Sequence, residues 1–327
     1  MYTNEELKKL KSNFDEVGFV ILRNFFSQNQ VERFTESVLN FKRNDIFIED
    51  EGFTIPDGIS HFEEFWGLIV DERLIQLLRF VLGNEVRYIR HSEIAIDYTN
   101  TGRYINFESL IGWHRDHRFR AFSTKYFGIS VFDESEDPFK IAKIGVYLNS
   151  TSENKSPTVF YPKSHLDKYN VSYFEYYFHR CLRYAQTFLK RNKNLVNLPI
   201  VRKFPFFLSP TVEPIDVVVE KGDAILFDPR IIHTGTPRSG PRKILWWDYG
   251  LENAHTYDYC NYWERERKDM YYGKKPMNTE LKELLIRNDL YLKGFENYKE
   301  LPLTTSDAPS GKRGKMSKFN KLLKIFS

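Results

Sequence analysis

From His91 onward the chain runs as short stretches rich in β-branched and aromatic residues: EIAIDY, YINFESL, KIAKIGVYL, TVFY, DVVVE, DAILF and KILWWDY. Each is closed off by turn residues. Segments of this length and composition read as strands, and so many in succession point to an all-β core rather than alternating βα units. The opening of the chain has a different texture. NEELKKLKSNFDEVG carries Leu7, Leu10 and Phe14 at helical spacing and stops at Gly18. FVILRNF follows as a short β-rich stretch, and SQNQVERFTESVLNFKRN restarts a helix behind Ser27, with Gln30 placed three residues on as in a capping box. Residues 166–206 read as a largely helical insertion, and NTELKELLIRNDLYLKGF is helical again. The expected fold is therefore mainly β with flanking helices. One domain spans 1–250 with its β-roll core at about 91–249, followed by a helical extension over 251–310 and a basic tail over 311–327.

Composition removes several classes of function. Of the 48 Lys and Arg, six fall in the tail from Gly311 to Ser327, which leaves 42 against 44 Asp and Glu in the body. A nearly neutral body gives no electrostatic footprint for nucleic acid. The two cysteines, Cys181 and Cys260, form no CxxC pair, so neither a disulfide framework nor a cysteine-rich zinc site is expected. MYTNEELKKLKSNF lacks the apolar core of a signal peptide, and no later run approaches the ~18 apolar residues of a membrane span. A cytoplasmic protein is expected. Aromatics reach 16%, in clusters such as YFEYYFHRCLRYAQTF that interleave them with arginine; stripes of this kind are core and interface more often than a stacking platform for single-stranded nucleic acid.

The chemistry-bearing stretch is GWHRDHR, residues 112–118. In a strand, His114 and Asp116 share a face; in a helix, His114 would pair with His117 instead. YINFESLI precedes it and favours the strand. An imidazole and a carboxylate side by side are two of the three ligands of a facial triad, which leaves open positions on iron(II) for a co-substrate and oxygen. Downstream, KGDAILFDPRIIHTGTPRSGPRKILWW offers a strand element ending at His233, a turn, and then Arg242 opening another strand. A β-roll brings such distant strands together, so His233 is the candidate third ligand. Arg242 could set a planar guanidinium deeper in the barrel, suited to a carboxylate. Arg238 and Lys243 are rivals for that role.

These residues resemble the phytanoyl-CoA dioxygenase family of iron(II)- and 2-oxoglutarate-dependent oxygenases, over roughly residues 12–249. FDEVGFVILRNFFSQNQVERF is similar to the family's N-terminal motif, GWHRDH to its W-H-x-D strand, KIGVYLNSTSENKSPTVFYPKSH to its segment ending P-G-S-H, and GDAILFDPRIIHTGTPRSGPRKIL to its closing G-D motif. Two departures stand out. Lys163 replaces the glycine before Ser164, and the turn after the distal histidine carries Arg238 in place of the usual asparagine.

The resemblance implies a double-stranded β-helix, the jelly-roll or cupin-like core. It implies His114, Asp116 and His233 as metal ligands and Arg242 as the anchor of 2-oxoglutarate, with Thr234 or Thr236 assisting. The cofactors implied are Fe(II), 2-oxoglutarate and O2, with ascorbate as a supporting reductant. The expected reaction is hydroxylation of an unactivated C–H bond in a small-molecule, lipid or glycan substrate, with release of succinate and CO2. Two other classes stay open: a non-catalytic β-roll that binds without turnover, and a nucleic-acid or protein hydroxylase on the same core. In the tail, Met316, Phe319 and Phe326 fall along one face with lysines on the other, so it reads either as an interfacial helix touching anionic membrane or as a disordered segment.

Overall fold

The computed structural model describes residues 1–41, 53–97, 116, 138–152, 157–166, 215–235, 242–257, 259–260 and 277–294. Most of the GWHRDHR stretch, the expected insertion beyond Leu166, Thr236, Arg238 and the basic tail lie outside the described residues.

Helix α1 (Asn4–Val17) starts at Thr3, whose side chain accepts from the Glu6 amide while Glu6 reaches back, a complete capping box. It ends where Gly18 takes φ +96°, a left-handed conformation that glycine adopts without strain. Strand β1 (Phe19–Leu22) leads to α2 (Gln28–Phe41), where Ser27 and Gln30 exchange the capping-box bonds read from the sequence. Residues 53–81 add elements beyond those expected from the sequence: β2 (Phe53–Pro56), the single turns α3 (Gly58–His61) and α4 (Trp66–Ile69), and α5 (Glu72–Val81). Asp71 caps α5 by accepting from the Arg73 and Leu74 amides, and Leu74, Ile75, Leu77, Leu78 and Val81 form its buried stripe.

The remaining strands are β3 (Val86–Asp97), β4 (Ile141–Tyr147), β5 (Thr158–Tyr161), β6 (Ile215–Val217), β7 (Ala224–Phe227), β8 (Ile232–Gly235) and β9 (Arg242–Leu251). Helix α6 (Thr279–Arg287) follows, capped by Asn278. Two differences from the sequence reading concern strand limits. β3 begins at Val86, before His91, and β8 runs through His233 to Gly235 instead of ending at the histidine.

Among the described residues, six strands form a sheet in the order β1-β7-β4-β9-β3-β2, and three form a second in the order β6-β5-β8. Every pairing is antiparallel. Because side chains alternate along a strand, the large sheet has two distinct faces. One packs Ile144, Val146, Leu226, Leu245, Trp247 and Tyr249 against the helices, with Leu7 and Phe14 of α1, Leu77 and Leu78 of α5, and Leu281 and Leu285 of α6 in the same core. The other carries Phe19, Tyr147, Ile225, Phe227 and Ile244 toward the small sheet. Phe160 of β5 bridges the sheets, stacked on Phe19 with ring centroids 4.8 Å apart and tilted on Phe227 at 5.1 Å. This is the double-stranded β-helix expected. No helix among the described residues is long and apolar enough to cross a membrane.

Candidate metal centre

The site lies between the sheets. Strand β8 carries His233, paired through its Cα with Phe160 of β5, and the ring is wedged between Phe160 and Phe227 at centroid distances of 5.6 and 5.2 Å. Its Nδ1 stands 3.0 Å from the Ile231 carbonyl oxygen. A carbonyl can only accept, so Nδ1 holds the proton and donates, and Nε2 is left with its lone pair. That Nε2 faces Asp116 Oδ1 at 3.8 Å. Burial lowers the His233 pKa, Asp116 opposes the shift, and Lys143 and Arg242 add to it, so the imidazole is held neutral.

Asp116 is brought to this point by backbone. Its amide donates to the Pro229 carbonyl at 3.0 Å, inside the turn Asp228-Pro229-Arg230 that precedes β8. The turn is fixed by the Asp228 side chain, which accepts from the Arg230 amide and guanidinium. The second carboxylate oxygen of Asp116 is occupied: Lys143 of β4 donates to Oδ2 at 2.9 Å. Lys143 is 6% exposed, inside a strand whose seven residues are all buried. Burial would depress its pKa, but Asp116, Asp248 and Glu93 outweigh that and raise it, so the ammonium stays charged.

Arg242 opens β9 on the same face as Ile244 and Trp246. Burial lowers its pKa against the pull of the Tyr147 phenol. Tyr147 is in turn hydrogen-bonded to Thr158 at 2.6 Å. Lys243, next to Arg242 in β9, alternates to the opposite side, where it lines a polar cavity with Leu148, Asn149 and Ser150. Thr234 lies in β8 opposite Val159, and its side chain is outside the described residues, as are His114 and Thr236.

Two donor atoms each about 2.1 Å from one ion can be no more than roughly 4.2 Å apart. The 3.8 Å between His233 Nε2 and Asp116 Oδ1 falls within that span, and a neutral imidazole beside a carboxylate is a donor set suited to iron(II). Among the described residues no third His, Cys, Asp or Glu joins them in one group. His165, at the end of PKSH, is not part of the site. It is buried, donates from Nε2 to the Asp15 carbonyl at 3.0 Å, and presses so closely on Gly18 that a Cβ there would lie 2.6 Å from its Nδ1.

Two features escaped sequence reasoning. They are Lys143, inside an otherwise apolar strand, and His91. His91 Nδ1 in fact contacts Asp248 Oδ2, to which Tyr259 also donates at 3.0 Å. The signal for Lys143 was its unusual setting, since a charge in a fully buried strand requires a partner.

A jelly roll with a neutral histidine and an aspartate converging between its sheets, and an arginine on the same inner face, has the architecture of a metal-dependent oxygenase. The family model for phytanoyl-CoA dioxygenase matches residues 14–244, and the chain belongs to that family. No curated protein sequence matches it. Among solved structures, EctD from S. alaskensis with bound Fe shares 17% identity, covers 77% of this chain and 80% of its own, and superposes with a TM-score of 0.50. HygX from Streptomyces hygroscopicus with nickel and 2-oxoglutarate bound shares 19% identity, with coverage of 76% and 87% and a TM-score of 0.48. The epimerase SnoN from nogalamycin biosynthesis shares 14%, with 76% and 83% covered and a TM-score of 0.48. At 17% identity the likeness to EctD speaks for the fold alone. The family membership makes the chain an iron- and 2-oxoglutarate-dependent enzyme.

Proposed function

We propose that the chain hydroxylates an unactivated C–H bond of a small-molecule, lipid or glycan substrate, with His114, Asp116 and His233 as metal ligands and Arg242 as the anchor of 2-oxoglutarate. The observation that carries this reading is the 3.8 Å approach of His233 Nε2, its lone pair exposed by the Nδ1 contact to Ile231, to Asp116 Oδ1. Bound Fe(II) would supply the activation of O2 and the oxidative decarboxylation of 2-oxoglutarate to succinate and CO2. The protein's own part is orientation and exclusion of water. Phe160 and Phe227 hold the His233 ring against rotation. Arg242 offers a two-pronged, permanently charged fork to a distal carboxylate, a geometry that Lys cannot reproduce.

The test is conversion of 2-oxoglutarate to succinate by purified protein with Fe(II) and ascorbate, across pools of small molecules, lipids, glycans and nucleic acids. Substrate-stimulated succinate from one of the first three pools is the expected result. Stimulation by nucleic acid alone would move the substrate class. Absence of turnover with every pool, from protein that binds Fe(II), would favour a non-catalytic binding protein.

A further inference from the structure

Lys143 is a charge that the proposed ligand set does not use. A buried ammonium is tolerated only when paired, and this one lies between two carboxylates. In front, it donates to Asp116 Oδ2 at 2.9 Å. Behind, its Cα partner across the β4–β9 ladder is Asp248, whose charge also acts on it. Asp248 is itself fixed, its Oδ2 contacted by His91 and receiving the Tyr259 hydroxyl at 3.0 Å. The Trp246 ring lies beside the ammonium, 5.8 Å from centroid to Nζ, and a Cβ at Gly145 would overlap that ring.

The consequence falls on Asp116. Its two oxygens face different partners, Oδ2 the Lys143 ammonium and Oδ1 the lone pair of His233 Nε2. We infer that Lys143 is a positioning residue of the metal centre, holding Oδ2 so that Asp116 presents Oδ1 alone as a ligand. The inference rests on the ligand assignment above and goes beyond it. It matters because a carboxylate that turned to bind through both oxygens would take one of the positions that a bidentate co-substrate and oxygen need. Groups that orient a ligand from behind are as much a part of a metal site as the ligands themselves.

The experiment uses the full chain with Co(II), followed by calorimetry and by visible absorption, whose intensity falls as coordination number rises. Lys143→Met should weaken Co(II) binding about tenfold or more, the usual effect of losing a group that orients a ligand, and should alter the Co(II) spectrum before and after 2-oxoglutarate is added. Lys143→Arg, which keeps a cationic donor, should restore both. If Lys143→Met does not fold, Lys143→Met/Asp248→Asn removes the ammonium together with the carboxylate behind it and should give the same weakening. Wild-type affinity and spectrum in the methionine variants, or tighter binding in them, would overturn the inference and leave Lys143 as a counter-ion only. Failure of the wild type to bind Co(II) in a manner that Asp116→Ala removes would instead sink the ligand assignment.

Discussion

Along β9, Leu245, Trp247 and Tyr249 turn to the helical side of the large sheet, while Arg242, Ile244, Trp246 and Asp248 turn to the small sheet. The helical side is a continuous apolar core that takes in residues from α1, α5 and α6. The inner side mixes rings with Asp116, Lys143, His233 and Asp248, all of them buried. One strand thus contributes to the apolar core with one set of alternate residues and to the proposed metal centre with the other. Damage to the two faces should separate in experiment: changes on the helical side should cost folding energy and spare ligand binding, and changes on the inner side should do the reverse.

The largest separation is expected at Trp247, fully buried on the helical side with its indole donating to Tyr249. Trp247→Ala should lose about 3 to 5 kcal/mol of stability, measured by urea unfolding, and the folded fraction should retain metal affinity. Loss of metal binding by folded protein would break the contrast.

Next in size is the neighbouring pair Arg242 and Lys243, which alternate across the sheet. Arg242→Lys should weaken 2-oxoglutarate binding by on the order of 2 to 5 kcal/mol, the cost of truncating a buried charge-assisted contact, whereas Lys243→Ala should leave it unchanged. Calorimetric titration of both variants decides. The reverse ranking would transfer the anchor to Lys243.

The helical side also holds a carboxylate, Asp57, fully buried and bound to Arg90. Burial, opposed by Arg90, pushes its pKa up from 3.8 to about 6. Between those values the folded protein keeps a proton that the unfolded chain has lost, so the Asp57 contribution is present at low pH and is lost as pH rises through about 6. That amounts to roughly 3 kcal/mol. Asp57→Asn should remove this slope from the stability curve between those pH values while leaving metal binding unaltered.

The smallest effect belongs to the rim of the small sheet. Lys163 adopts φ +67°, a conformation that glycine takes without strain. Lys163→Gly should raise stability by about 1 kcal/mol, read as a small increase in melting temperature, with no change in ligand binding.

How much of this was legible depended on whether the cause was local. The caps at Thr3 and Ser27, the stop at Gly18 and the start of β9 at Arg242 follow from neighbouring residues and can be read directly. Helix α5 carries a local signal too, an Asp71 cap ahead of a stripe at helical spacing. His233 and Asp116 are far apart in the chain, and only the order of motifs suggested that they meet. Lys143 and His91 were opaque for a different reason. Their partners, Asp116 and Asp248, arrive through strand register, and no local pattern encodes which buried carboxylate a buried cation will find.

In the proposed arrangement Asp116 and His233 hold one metal ion between the sheets. Metal analysis of purified wild type, Asp116→Ala and His233→Ala after Fe(II) loading tests it most directly, with Trp247→Phe as a control on the opposite face. One iron per wild-type and control chain and nearly none in either alanine variant are expected, with all four proteins folded by circular dichroism. Folded Asp116→Ala or His233→Ala protein that retained iron at the wild-type level would contradict it.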